Sequence, residues 1–187
     1  GEMLKEHWRI LYNGNCYDPA WPVEAKKRGL WNLPTTPEAL HELESAKNQE
    51  LFEKHGVLKP HELKARVNTL LERYQTEVVI EGQTMSSLVR RNFIHTLGIE
   101  ANEENDASGL RETKQKNLAK LAEETDKLDA AIESVPEDLY KAAVHCHKKI
   151  RGSLAAAREV LDENEKNMED GADGMPNLYD ILMSHRK

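Results

Sequence analysis

The chain lacks the features that mark several large classes of protein. Its 187 residues contain two cysteines, too few for the disulfide framework of a small secreted domain. No stretch approaches the roughly 20 consecutive apolar residues of a membrane-spanning helix, and no signal-peptide pattern opens the chain. A formal net charge of -7 argues against a general binder of nucleic acids or membrane surfaces. These absences predict a soluble, cytoplasmic protein with no nucleic-acid or membrane partner.

Bulky core residues are also scarce, since Phe, Trp and Tyr together make up 5% of the sequence. Ala, Leu, Glu and Lys are abundant, a composition typical of long helices that meet along thin apolar seams. We therefore predict an all-α fold, a long-helix up-and-down bundle with an irregular, turn-rich helical N-terminal lead-in. The lead-in is expected over residues 1–58 and the bundle domain over residues 59–187.

Short helices in the lead-in are predicted from capping residues and helix breakers. A capping side chain followed by proline, as in Asp18-Pro19 and Thr36-Pro37, typically begins a helix. Ser45 is a cap of the same kind. The predicted lead-in helices cover residues 3–12, residues 19–28, a segment from Pro37 onward, and residues 46–55.

Three long amphipathic helices are predicted for the bundle, at residues 60–98, 110–134 and 136–168, with a short terminal helix at 176–184. The second and third would form an antiparallel hairpin, and the first would be the third member of the bundle. Gly82 lies inside the apolar stripe of the first helix, where glycine costs about 1 kcal/mol relative to alanine. It therefore marks either a local kink or a close contact with another helix.

The segment His145-Cys146-His147 is the most tempting candidate for a metal site. Metal ligands on one helix face need a spacing of three or four residues. Residues two apart point about 200° around a helix, so the two histidines do not readily share an ion. The favoured interpretation places Cys146 in an apolar seam with a histidine on each side.

Three further features have simple interpretations. Cys16 has no recognisable catalytic partner, so we expect a reduced structural thiol. The acidic residues between 163 and 173 lack the ligand spacing of a calcium loop and are expected to form a solvated helix end. Arg90-Arg91 could meet a carboxylate on a partner surface, but a solvated helix face is the favoured interpretation.

Signatures of enzymes are missing from the sequence. It contains no phosphate loop of the GxxxxGK[ST] type, no GxGxxG and no GxSxG. No pair of carboxylates stands out as an acid and a base. We therefore assign no catalytic, cofactor-binding or metal-binding residue.

Residues in the lead-in and at the start of the long helix carry a resemblance to a known protein family. The residues that carry it are Asn13-Gly14-Asn15, Tyr17, Trp21, Glu24 to Leu30, Asn32-Leu33, Thr35 to Leu40, Leu51 to Leu58, Glu62-Leu63, Arg66, Glu72-Arg73-Tyr74, Ile80-Glu81 and Thr84-Met85. They resemble the stretch that follows the catalytic domain in type III glutamine synthetases. Met175-Pro176, Tyr179 and Leu182 are similar to that family's usual C-terminus, whereas residues 100–170 match only as amphipathic helix. Cys16 and Gly82 depart from the family pattern.

The resemblance implies that the chain is the C-terminal helical domain of a larger cytoplasmic enzyme. That enzyme would make glutamine from glutamate, ammonia and ATP, with magnesium or another divalent metal, and would assemble into stacked rings. Its metal-binding and ATP-binding motifs are absent from this sequence, so the chain alone is expected to be inactive. Its expected partners are the catalytic domain of the same chain and neighbouring subunits, against which the three tryptophans of the lead-in would be buried.

Two other classes remain as alternatives. One is a stand-alone helical adaptor or oligomerisation module that binds a protein partner through a groove or a coiled-coil seam. The other is a helical-bundle metalloenzyme, which needs Glu-x-x-His pairs on core faces. The pairs Glu42 with Ser45 and Glu103 with Asp106 fail that pattern, so the metalloenzyme is the least favoured class.

Overall fold

The architecture is entirely helical in the part of the chain that is described. The computed structural model describes residues 1–95, 98 and 110–165. All regular elements within these ranges are α-helices, a 3-10 turn or π-turns, and no strand occurs there. The predicted all-α class is therefore confirmed. The predicted terminal helix at 176–184, like the end of the helix predicted to reach residue 168, lies outside the described residues.

The lead-in contains four short helices, which are α1 (Glu2–Glu6), α2 (Trp21–Lys27), α3 (Thr36–Leu43) and α4 (Ala46–Lys54), with a 3-10 turn at Trp8–Ile10. Helix α1 is thus shorter than predicted, and a separate turn follows it. Helix α2 begins at Trp21 instead of Pro19. The Asp18 carboxylate accepts a hydrogen bond from the Ala20 backbone N–H, so residues 18–20 form a turn before the helix. Thr35, not Thr36, caps α3 through its hydroxyl.

The long helix α5 (Pro60–Leu88) continues through a π-turn at Val89–Phe93. Pro60 is its first residue, and because proline has no backbone N–H, no donor at this position is left without a hydrogen-bond partner. The Glu62 carboxylate accepts a 2.7 Å bond from the Lys59 backbone N–H, which fixes the start of the helix. The helix passes through Gly82 without a break.

Gly82 is a point of close helix contact. A Cβ atom at this position would lie 3.0 Å from Ile132 Cδ1 and 3.1 Å from Ile150 Cγ2. The missing side chain therefore lets two other helices approach the middle of α5. The sequence left open a local kink or a close helix contact at Gly82, and the structure shows the close contact.

The other bundle helices are α6 (Leu110–Glu133), α7 (Leu139–His145) and α8 (Arg151–Glu165), with α7 and α8 joined by a π-turn at Cys146–Ile150. Helix α7 begins three residues later than the sequence prediction of 136. Asp138, not Pro136, provides the cap, since its carboxylate accepts a 2.9 Å bond from the Lys141 backbone N–H.

The order of contacts along α5 shows an up-and-down bundle. Val78 packs with Leu128, and Val89 packs with Leu121, so α6 runs antiparallel to α5. Ile150 shares the Val78 cluster and Val160 the Val89 cluster, so the segment from α7 to α8 runs parallel to α5. The bundle core is therefore a column of small apolar clusters along three helices, as thin seams require.

The second half of the lead-in packs on the end of the bundle where α5 begins. Leu40 of α3 and Phe52 of α4 contact the cluster that holds Leu63 and Ala143. The rings of His41 and Tyr140 lie 4.6 Å apart between centroids. Helices α3 and α4 thus share a hydrophobic core with the bundle.

Candidate interaction surface

The first half of the lead-in places large apolar side chains at the surface. Trp8 is 68% exposed, Trp31 64% and Tyr17 96%. Such side chains usually hide most of their area in folded proteins, so their exposure in one segment of the chain makes that segment a candidate for interaction. We name the aromatic surface by its members, which are Trp8, Ile10, Tyr17, Val23, Trp31 and Leu33.

Arg28 holds the two halves of this surface together. Its Nη1 donates to the carbonyl of Leu11 at 2.7 Å, and its guanidinium lies 5.1 Å from the centre of the Tyr12 ring. The Tyr12 ring lies 4.5 Å from the Trp21 ring. A single cation thus fixes the 3-10 turn region against α2 by a hydrogen bond and a cation–π contact.

A carboxylate completes this arrangement. Arg28 Nε donates to Glu24 Oε1 at 2.5 Å, which lowers the pKa of the Glu24 carboxyl below its usual range. Gly29 then ends α2 with φ of +66°, and the Leu30 backbone N–H bonds the Ala25 carbonyl. The exposed tryptophans are therefore carried by a hydrogen-bonded framework.

Trp31 connects the aromatic surface to the packed half of the lead-in. The Lys47 ammonium of α4 lies 5.8 Å from the centre of the Trp31 ring. This distance permits a weak cation–π contact at an exposed site. One face of the ring consequently has a partner in the chain, while most of the side chain stays accessible.

An apolar groove lies beside α4 and the first turns of α5. Its volume is about 460 Å³. Leu70, 44% exposed, belongs to its wall, although its spacing from Leu63 and Val67 also fits the apolar stripe of α5. The groove is lined mainly by Leu43, Phe52, Leu58, Leu63, Arg66 and Leu70.

The His145-Cys146-His147 segment lies where the spacing argument placed it. Cys146 is fully buried in the core. His145 Nε2 donates to the Ala131 carbonyl at 2.7 Å, and His147 Nδ1 lies 3.3 Å from the Tyr74 hydroxyl. The two histidines thus contact different neighbours, as expected for the flanks of a seam.

Arg90 and Arg91 are both exposed, as expected for a solvated helix face. Arg90 also forms ion pairs with Asp126 at 2.7 Å and Asp129 at 2.6 Å. These carboxylates belong to another helix of the same chain, whereas the sequence considered only a carboxylate on a partner surface. Cys16 is exposed and free of a disulfide.

One Glu-x-x-His spacing escaped the sequence argument. Glu38 and His41 have this spacing on α3, and both are exposed on that helix instead of facing a core. Within the described ranges, no three His, Cys, Asp or Glu side chains converge as metal ligands would. In those same ranges, no helix combines the length and apolar character needed to cross a bilayer. Most of the acidic run from 163 to 173 lies outside the described residues.

The described residues thus form a helical domain whose lead-in exposes large apolar side chains. Comparison with known protein families assigns this domain to a family. The model of the glutamine synthetase C-terminal domain matches residues 1–104, which include the whole lead-in and α5. The chain belongs to this family.

Three relatives agree with this assignment. A glutamine synthetase of Butyrivibrio fibrisolvens is 28% identical over 214 aligned positions, which cover 99% of this chain and 30% of the relative. A type-3 glutamine synthetase of Dictyostelium discoideum is 42% identical over 88 positions, 47% of this chain and 12% of the relative. A glutamine synthetase of Bacteroides fragilis is 28% identical over 85 positions, 46% of this chain and 12% of the relative. The chain thus spans less than a third of the length of each relative.

The sequence drew attention to the tryptophans of the lead-in, but not to the exposure of Tyr17 or to the apolar groove. Tyr17 was noted only as part of the family pattern. The groove was missed because each of its leucines also fits a helical apolar stripe. The signal available in the sequence was the excess of apolar positions around Leu70-Leu71, since one helix face cannot bury two consecutive residues equally.

Proposed function

We propose that the chain is the C-terminal domain of a type III glutamine synthetase, and that it packs on the catalytic part of that enzyme and on neighbouring subunits. The observation that carries the proposal is the exposure of Trp8 and Trp31 on a hydrogen-bonded framework. Burying such side chains against a partner is favourable by about 25 cal/mol per Å² of apolar area removed from water. The relative named a type-3 enzyme supports the choice of type.

The parent enzyme would ligate ammonia to glutamate with ATP in the cytoplasm. Magnesium would neutralise phosphate charge and hold ATP in line for transfer to the glutamate carboxylate. The described residues offer no cluster of metal ligands. We propose that ATP and metal bind to the part of the enzyme outside this chain, as the family resemblance implies, and that this chain has a role in assembly.

The first test is an assay of the full-length protein for ATP-dependent formation of glutamine, with and without this domain. We expect activity in the full-length protein and a loss of ring assembly, activity or both after deletion. Full-length protein without such activity would refute the assignment to the enzyme. Unchanged assembly and activity after deletion would refute the structural role.

A sharper test changes the aromatic surface alone. We expect Trp8→Ser with Trp31→Ser in the full-length enzyme to shift the assembly toward smaller species on size-exclusion chromatography with light scattering. Ile80→Ser is the matched control, because Ile80 is 55% exposed but lies on α5, away from the aromatic surface. A double variant that assembles like the control would contradict the role of this surface.

The apolar groove favours a second candidate, the stand-alone adaptor. Grooves of this size accept a few apolar side chains of a partner helix. This candidate gains support if the full-length protein has no synthetase activity. Arg66→Glu at the edge of the groove would then reduce binding of a helical partner to the chain.

A further inference from the structure

Gly152, in helix α8, has no close neighbour among the described residues that would explain a glycine there. A Cβ atom at this position would meet nothing within 4 Å, whereas one at Gly82 would collide with two isoleucines. Glycine in a helix interior costs about 1 kcal/mol relative to alanine. At Gly82 the close approach of other helices offsets that cost, and at Gly152 no neighbour in the described part of the chain does so.

Gly152 belongs to an exposed helix face with an ordered pattern of charge. Lys148, Gly152, Ala155 and Glu159 follow one another at steps of four, three and four residues, so they lie on one face. All four residues are exposed. We name them the α8 face, in which a cation, two small residues and an anion follow in order.

The charges at the two ends of the α8 face have no ion-pair partner in the part of the chain that the structure describes. Within the described residues, neither Lys148 nor Glu159 takes part in an ion pair. Nearby, Arg158 is satisfied by Asp162 at 2.6 Å, so it does not compete for Glu159. The face therefore presents one cation and one anion, neither of them in an ion pair within the described residues, on either side of a centre of small residues.

We propose that the α8 face binds the α8 face of a second copy of this chain, with the two helices antiparallel. A two-fold axis between Gly152 and Ala155 sets Lys148 of each copy opposite Glu159 of the other. The same axis sets Gly152 opposite Ala155, where the small side chains allow a short interaxial distance. The contact is isologous and closes as a dimer.

The wider charge distribution supports the antiparallel direction. The stretch from residue 139 to residue 158 contains no acidic residue and includes the exposed Lys141, Lys148 and Lys149. Acidic residues begin at Glu159. An antiparallel pair brings the basic half of each helix against the acidic half of the other, whereas a parallel pair would set like charges together. The inference does not depend on the proposed enzymatic function.

Charge reversal tests the pairing in solution. We expect this chain to form a dimer by sedimentation equilibrium, with a Kd that rises with salt. Lys148→Glu and Glu159→Lys should each weaken the dimer by about tenfold or more, since each change turns two attractive pairs into repulsive ones. An equimolar mixture of the two variants should regain the wild-type Kd, because every opposed pair is then of opposite sign.

The centre of the face is tested separately. Gly152→Leu should abolish the dimer. At chain concentrations low enough for wild type to be monomeric, its helical circular dichroism and unfolding midpoint should be equal to or above wild type, because glycine is the poorer helix former. Ala130→Leu, an exposed change on α6, is the matched control and should leave the dimer intact.

A wild-type chain that stays monomeric, or single charge variants that dimerise like wild type, would overturn the proposal. So would a mixture that fails to recover the wild-type Kd. These readouts measure association only. Their failure is therefore distinguishable from a failure of the proposed function, which is measured as glutamine formation.

Discussion

Arg90 and Asp129 join the long helix to α6 across the surface of the bundle. The Arg90 Nη2 donates to Asp129 Oδ2 at 2.6 Å, and Nε of the same guanidinium approaches that oxygen at 3.2 Å. Asp126, one turn earlier on α6, accepts a further bond at 2.7 Å. The two carboxylates raise the pKa of Arg90, which keeps the guanidinium charged. The pairs connect two helices through residues that are 36 and 39 positions apart in the chain.

Removing this cation should have a small but measurable effect. We expect Arg90→Gln to lower the free energy of unfolding by about 0.5–1 kcal/mol, because the pairs are exposed enough for water to screen them. Arg91→Gln is the matched control and should change it by less. Urea unfolding at low and high salt measures both, and an Arg90 effect that salt does not reduce would contradict the electrostatic explanation.

Enlarging Gly82 should strain the centre of the bundle. We expect Gly82→Leu to cost about 1–3 kcal/mol of unfolding free energy, because the new side chain must displace Ile132 and Ile150. Gln83→Leu, the next and exposed position, should be nearly neutral. Thermal or urea unfolding compares the two. Equal effects at both positions would show that helix contact is not what constrains Gly82.

Thr125 is a buried polar residue in the apolar seam of α6, and two substitutions there separate the effects of hydrogen bonding and packing. Its side chain is fully buried and its hydroxyl donates to the Leu121 carbonyl at 2.7 Å. That carbonyl keeps its helical bond without the hydroxyl, so Thr125→Val should change stability by less than about 1 kcal/mol. Thr125→Ala should cost about 1–2 kcal/mol through the cavity it leaves. A larger loss for Val than for Ala would mean that the hydroxyl bond outweighs packing.

The two cysteines should differ in reactivity. Cys16 is exposed, whereas Cys146 is buried and its burial raises the pKa of the Cys146 thiol. A thiol reagent should modify one cysteine of the native chain at once, and Cys16→Ser should remove that fast phase. Cys146 should react with the reagent only upon unfolding. Equal rates for the Cys16→Ser and Cys146→Ser variants would contradict the buried position.

The same thiol gives a pH dependence of known sign. Because the folded pKa of Cys146 is raised, the unfolded chain loses its thiol proton first as pH increases. The contribution to stability is complete below the unfolded pKa of about 8.5 and declines above it. Wild type should therefore lose more unfolding free energy between neutral and alkaline pH than Cys146→Ala. Parallel losses in urea titrations would contradict this.

Much of the bundle could be predicted because helix formation depends on local periodicity. The stripe through Leu63, Val67 and Val78 predicts the face of α5 that is buried. The same argument places Cys146 and Ile150 in the core. Helix starts were less accurate, since competing caps such as Asp138 and Pro136 lie within a few residues of one another.

The sequence by itself determined that the chain is helical, which residues form its apolar seams, and which family its lead-in resembles. Those properties depend on residues close together in the chain. Only the tertiary structure decided that Arg90 meets Asp129, that Gly82 is a helix contact, and that Trp8 and Trp31 stay exposed. Each of these depends on which helix faces lie opposite one another, and periodicity within one helix carries no information about its neighbour.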